Sequence, residues 1–248
     1  MKNTRPSIDV VCHEPAKLTH ADRDEIERFV IRHSNWSRQR LDEALDAATY
    51  VWLCYDGRRL IGSTAVKRLS ARLHGREVTV IYTSVVAVDH AYRRLGLIAR
   101  MGMKSFFIER MRAPLRPIYW LALAGSPAGY LQMTRNFETF WPRAGVEMPD
   151  GARTVLEQSL SALGITDINR VEGSYVLTDD FGVLDKDQDP EHWDRSAADV
   201  DFFLRVNPEY RRGFDLACLC PLELTTLGTS FLRRTLLRPT RARRAVPA

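Results

Sequence analysis

The sequence is short of carboxylates in two places where their absence shapes the reading. The β-rich run from Ile81 to Val88 contains none, so no acid on that strand is available as a base. From Phe231 to the end, six arginines (233, 234, 238, 241, 243 and 244) stand without an acid. Cysteine is also scarce, and Cys12, Cys54, Cys218 and Cys220 all sit in apolar, strand-like runs. Cys218 and Cys220 are two apart and would share one strand face rather than form a metal-binding turn. That spacing excludes a disulfide framework and a structural zinc, and it predicts buried free thiols. No apolar run reaches the roughly 18 residues that a membrane-spanning helix requires. The opening MKNTRPSIDVV has no apolar stretch long enough for a secretory signal, which predicts a cytoplasmic protein.

A chain of 248 residues with 45% hydrophobic and 27% charged content has the material for one large globular domain, or a domain with an appendage. The net charge of +5 does not point to nucleic acid, because without the six terminal arginines 30 basic residues face 31 acidic ones. The excess is a basic tail on a neutral body.

The stretch TSVVAVDHAYRRLGLIARMGMKSFFIERMR, Thr83 to Arg112, organises the rest. Val85 to Val88 read as a buried strand, a short connector leads to Tyr92, Arg93, Arg94, Leu95, Gly96 and Leu97, and apolar residues then recur at helical spacing. A strand entering a helix through a glycine turn directs unpaired backbone N–H groups and a positive helix end at one point. With basic side chains beside it, such a turn suits a phosphate or pyrophosphate.

The segment from Val88 through Asp89, His90, Tyr92, Arg93 and Gly96 to Ile98 resembles motif A of the GCN5-related N-acetyltransferase (GNAT) superfamily. That motif reads V-x-P-x-Y-R-x-x-G-[ILV]-[GA], and its turn binds the pyrophosphate of coenzyme A. Here His90 replaces the usual proline and Ile98 the last small residue. The resemblance implies a cofactor turn made by Arg93, Arg94, Leu95, Gly96, Leu97 and Ile98. It also implies pantetheine hydrogen-bonded to the backbones of Val86 and Val88, and Ser126 where an asparagine is expected. The donor would be acetyl-CoA or another acyl-CoA, with no metal, and the acceptor a small-molecule or peptide amine. A long-chain N-acyltransferase drawing on acyl-CoA or acyl carrier protein is a second reading. A module that binds coenzyme A or a protein without turnover is a third.

The acid and base are less plainly marked. By register from Phe137, Gln132 holds the place of the family's tyrosine, and Tyr130, two residues earlier, is the candidate acid. Asp89 and His90, at the end of the central strand, are the candidate bases, acting through water.

Element order supports the resemblance. Ser7 to Cys12 reads as a strand, and Thr19 to Asp22 as a capping box before a helix burying Ile26, Phe29 and Val30. A second helix is expected over Ser37 to Ala48. Asp56-Gly57 and His74-Gly75 mark the turns of a three-stranded antiparallel meander that feeds the central motif. A helix from Leu95 to Met111, a strand over Ile118 to Ala124, and helices over Pro127 to Arg135 and Gly151 to Leu163 follow. Strands over Val171 to Thr178 and Phe214 to Cys220 close the chain's core. The expected fold is α/β, a GNAT-like mixed central sheet flanked by helices. Residues 1–221 would form the acyltransferase domain, with a helical insertion at about 179–213 between the last two strands, and 222–248 a C-terminal helix and basic tail. An amphipathic C-terminal helix fits weak contact with an anionic membrane surface, which would make the protein peripheral. It equally fits packing on its own sheet or across a homodimer.

Overall fold

The computed structural model describes residues 8–34, 36–178 and 193–223, except the side chain of Arg94. The expected C-terminal helix, the basic tail and most of the acidic run after residue 178 lie outside them. Strand β1 (Ile8–His13) leads to α1 (His20–His33) and α2 (Arg38–Asp46). The capping box forms with aspartate: Thr19 Oγ1 accepts from Asp22 N–H, and the Asp22 carboxylate accepts from Thr19 N–H at 2.8 Å. The meander is β2 (Tyr50–Asp56), β3 (Arg59–Leu73) and β4 (Arg76–Val88), and it turns at Gly57 and at His74-Gly75, all with positive φ. A 3-10 turn, His90–Leu95, enters α3 (Leu97–Arg112), followed by β5 (Ile118–Ala124), α4 (Pro127–Asn136) and α5 (Asp150–Ala162). The hairpin β6 (Ile168–Val171) and β7 (Ser174–Leu177), α6 (Ala198–Val206) and β8 (Asp215–Pro221) complete the described chain.

All eight strands join one sheet in the order β1-β2-β3-β4-β5-β8-β7-β6. Every pairing is antiparallel except that of β4 with β5. Side-chain alternation gives each face its own core. Leu97, Met101 and Phe106 of α3, Tyr130 and Met133 of α4, and Phe202 and Phe203 of α6 pack on one face. The other face takes α1 and α2 over β2 to β4, and α5 over β3, β4, β5 and β8.

Three expectations change. The single strand expected from residue 171 to 178 is a hairpin, because Glu172 and Gly173 take φ of 49° and 76° and fold the run back on itself. Cys12 is exposed because β1 is an edge strand, whereas Cys54, Cys218 and Cys220 are buried free thiols. The helix expected from Gly151 starts one residue earlier, at Asp150, with Pro149 at the cap. The last two strands, β7 and β8, do form an antiparallel pair, with α6 in the connection between them.

The sheet is interrupted at its centre. β4 and β5 pair from Thr79 opposite Ile118 to Thr83 opposite Ala122, and then part. In the same place β4 bulges against β3: Ser63 pairs Ala87 and Ala65 pairs Ser84, so Val85 and Val86 together face Thr64. Val85 carries the surplus residue at φ 52°. The carbonyls displaced by the bulge are recaptured by side chains, Val85 by the Ser63 hydroxyl at 3.3 Å and Ser84 by the Thr64 hydroxyl at 3.2 Å.

On the α3 face, Phe203 is fully buried and its ring lies 5.7 Å from those of both Tyr130 and Tyr210. Phe203→Ala should therefore destabilise the protein by about 3–5 kcal/mol in urea unfolding. A loss below about 1 kcal/mol would mean that α6 is not part of the cooperative core.

Candidate functional site

The site begins as backbone. Asp89 N–H donates to Ile61 O of β3 at 2.9 Å. By strand alternation Ala87 N–H points the same way, and Val86 and Val88 point the other way, into the gap that β5 has left. A gap flanked by strand N–H groups that β5 no longer pairs can accept an extended ligand as it would another strand. Trp120 Nε1 donates to Thr83 Oγ1 at 3.0 Å and pins the last paired step before the gap.

The turn above it is built for an anion. Gly96 takes φ 71° and ψ 31°, the left-handed conformation that glycine adopts without strain. It opens α3 with no side-chain cap and no acid in the first turn, so the first N–H groups of a 16-residue helix stay available. Leu97 is buried and anchors the turn, while Leu95 and Ile98 are exposed at 41% and 38%. Ile98 therefore borders the turn instead of filling it. Arg93 is exposed and donates from Nε to Val88 O at 3.1 Å, which ties the turn to the end of β4. The structure thus brings Val86, Val88, Arg93 and the backbone of Gly96 to Ile98 to one end of the split.

The side chains expected to move protons are placed otherwise. Tyr130 is fully enclosed by Phe140, Phe202 and Phe203, and its hydroxyl donates to Pro142 O at 3.0 Å. Burial pushes that phenol far above its usual range, so Tyr130 is a core residue and not an accessible acid. Ser126 caps α4, its hydroxyl accepting from Gly129 N–H at 3.2 Å. Asp89 accepts from the Arg59 guanidinium at 2.6 Å and from Ala91 N–H at 3.0 Å. Burial opposes its charge, but those two partners prevail and hold the carboxyl below its ordinary range, which makes it a weak base. His90 is exposed, with its ring 5.4 Å from that of His33 on α1. Two surface cavities of about 270 and 260 Å³ lie at the opposite end of the sheet, around Leu115 and Pro221 and around Cys12 and Tyr50, and neither includes the turn.

The strand, glycine turn and helix that the sequence resemblance implies are present, beside a parallel neighbour that parts from the strand. Residues 19–133 match the family profile described as an acetyltransferase (GNAT) domain. That stretch is a GNAT domain. It runs from the cap of α1 into α4, so both sides of the split belong to it. No curated protein matches the chain. Among solved structures, a probable N-acyltransferase from Enterococcus faecalis is 16% identical over 53% of this chain, with a TM-score of 0.40, and this chain spans only 33% of its length. An aminoglycoside acetyltransferase from an uncultured soil metagenomic sample is 14% identical over 58% of this chain and 98% of its own, with a TM-score of 0.42. The Escherichia coli GNAT protein YhbS, solved with CoA, is 18% identical over 54% of this chain and 72% of its own, with a TM-score of 0.39. These likenesses are too distant to bear on substrate.

Several groups at the GNAT site escaped the sequence reading. Ser63 and Thr64 hold the bulge, Arg59 holds Asp89, and Asp215 of β8 stands against Gly125 at the end of β5. Their polar character inside β-rich runs was the available signal, because a hydroxyl or carboxylate in a buried strand needs a reason.

Two predictions test these assignments. Tyr130→Phe should cost about 1 kcal/mol of stability, the value of one hydrogen bond, and leave turnover within a factor of about two. Asp89→Asn should destabilise at neutral pH. Because the folded carboxyl titrates below its ordinary value of about 3.9, the wild-type advantage should be full above that pH and vanish as pH falls through the folded value. Urea unfolding of both proteins between pH 7 and pH 3 reads the difference directly, and a gap independent of pH would refute the assignment.

Proposed function

We propose that the protein transfers an acyl group, acetyl being the simplest, from a coenzyme A thioester to an amine. The observation that carries this reading is the parting of β4 from β5 beside the uncapped start of α3. Pyrophosphate would rest on the N–H groups of Gly96 to Ile98, flanked by Arg93 and by Arg94, and pantetheine would lie along Val86 and Val88. The thioester carbonyl would then sit at the bulge, where a strand N–H can receive charge developing on its oxygen.

The amine nitrogen attacks the carbonyl carbon, the C–N bond forms and the C–S bond breaks. The nitrogen gives up a proton to water and the departing thiolate takes one from water, leaving an amide and free coenzyme A. With Tyr130 enclosed, no phenol need serve as acid, since thiols ionise near neutral pH and thiolates leave readily. Most of the rate would come from holding the two reactants in register, and only a small part from proton transfer by Asp89 or His90.

The enclosed Tyr130 and the arginine-bound Asp89 also favour a second reading, a GNAT module that binds coenzyme A without turnover. One experiment separates them. Acetyl-CoA at about 100 times its dissociation constant should stabilise the fold by roughly 2.7 kcal/mol, and Arg93→Glu should remove most of that shift. Saturable release of free thiol in the presence of amines supports the enzyme. A thermal shift without thiol release supports the module, and no shift with acetyl-CoA, long-chain acyl-CoA or free CoA rejects both.

A further inference from the structure

The donor turn is fastened to a hairpin that lies 30 or more residues before it in sequence. Where β2 returns into β3, Asp56 and Arg59 face each other across the Gly57 turn. β3 then runs antiparallel to β4, with Gly62 opposite Val88 and Ile61 O accepting from Asp89 N–H at 2.9 Å. The tip of the hairpin therefore extends past the end of β4 and lies alongside the connector to α3. Two side-chain bonds cross between them. Arg59 Nη2 donates to Asp89 Oδ2 at 2.6 Å, at the first residue of the connector. Three residues further on, the Tyr92 hydroxyl donates to Asp56 Oδ2 at 2.6 Å. The Tyr92 ring is half-buried against the core of the α3 face, so its hydroxyl reaches Asp56 from an anchored position. At the far end of the turn the buried Leu97 packs over Gly62, its Cδ1 3.6 Å from where a Cβ on that glycine would stand. Arg93 to Gly96 are strung between those two anchors.

Resting on the acyl-transfer reading above, we propose that Asp56 and Tyr92 are positioning residues for the donor, holding the pyrophosphate turn in its binding conformation before coenzyme A arrives. Neither touches the donor in this assignment, and both act through the backbone between Tyr92 and Gly96. A turn whose shape is fixed in advance loses no binding free energy to ordering itself, so affinity depends on what fixes it. Gly96 needs such support, because glycine has more conformational freedom to lose than any other residue. A phenol donating to a carboxylate makes a charge-assisted bond, stronger than a neutral one, and this bond spans 36 residues of sequence. Cutting it acts on donor binding. Acyl transfer itself is placed at the parting of β4 from β5, beyond Thr83 and Ala122, and its geometry does not include either residue.

The test compares the full-length protein with Tyr92→Phe, which removes a single hydroxyl, with Asp56→Ala and Asp56→Asn, and with the Tyr92→Phe/Asp56→Ala pair. Calorimetric titration reads the affinity for acetyl-CoA and for free CoA without an acceptor, and thiol release with spermidine or phenethylamine adds KM and kcat. Tyr92→Phe and Asp56→Ala should each weaken acetyl-CoA binding about threefold or more, of the order of one hydrogen bond. Free CoA should lose the same factor, because the turn meets the pyrophosphate common to both. The paired variant should bind no more weakly than either single one, since the same bond is lost only once. Asp56→Asn keeps an acceptor oxygen and should recover part of the affinity. Both kcat and the amine KM should change less than about twofold. Should Asp56→Ala fail to fold, Tyr92→Phe and Asp56→Asn still decide the matter. A loss of acetyl-CoA affinity below about threefold in Tyr92→Phe overturns the proposal, as does a kcat that falls as far as the affinity. Losses that multiply in the paired variant overturn it too. If the wild type binds neither acetyl-CoA nor free CoA, the acyl-transfer reading has failed first, and the proposal falls with it.

Discussion

One surplus residue in β4 is the constraint from which the functional geometry descends. Val85 and Val86 face a single partner, Thr64, and Val85 takes a positive φ. For a β-branched residue that conformation costs about 1–3 kcal/mol, so the surroundings must impose it. They do so on both sides. The Val85 side chain is buried among the apolar residues of α1 and α2, and the displaced carbonyls find the hydroxyls of Ser63 and Thr64. With the strand diverted there, β4 cannot stay in register with β5, and the parallel pairing ends at Thr83. The gap between β4 and β5 thus lies beside strain held within the β3–β4 pair.

The chain after the GNAT domain alters what the domain can do. The family profile ends at Met133, yet β8 enters the sheet beside β5 and α6 lays Phe202 and Phe203 over Tyr130. With those rings in place the tyrosine hydroxyl bonds Pro142 O among the described residues, and it becomes a core group. α6 packs against α4 on the α3 face, so it covers the candidate acid and leaves the opposite face to α1, α2 and α5.

Much of this architecture was legible because local chemistry and tertiary structure agree in it. Thr19 with Asp22, Asp56-Gly57, His74-Gly75 and Gly96 each specify a conformation within a few residues, and each forms. Period-two and period-3.6 patterns placed the meander, α3 and β5 within a few residues of where they lie. The misreadings arise from partners distant in sequence. Tyr130 at helical spacing looks the same whether it faces a cleft or α6, and Phe202 and Phe203 are about 70 residues away in sequence. Cys12 sits in an apolar run like the other cysteines, but edge position decides exposure, and strand order is not written locally. The Glu172-Gly173 turn was passed over because its left-handed glutamate has no sequence signature.

In the acyl-transfer reading proposed above, the donor end is set by electrostatics at the start of α3. At the start of α3 no acid lies in the first turn, and the helix end and Arg93 are positive, so an anionic donor is drawn to that face. Across the sheet, Asp215 overhangs Gly125, and burial together with its charge raises the Tyr82 phenol above its usual range. A cation brought to the start of α3 would meet a helix dipole of the wrong sign. An acyl transfer at this gap would rest on charge placement and strand divergence, because β4 carries no carboxylate from Ile81 to Val88 to serve as a strong base.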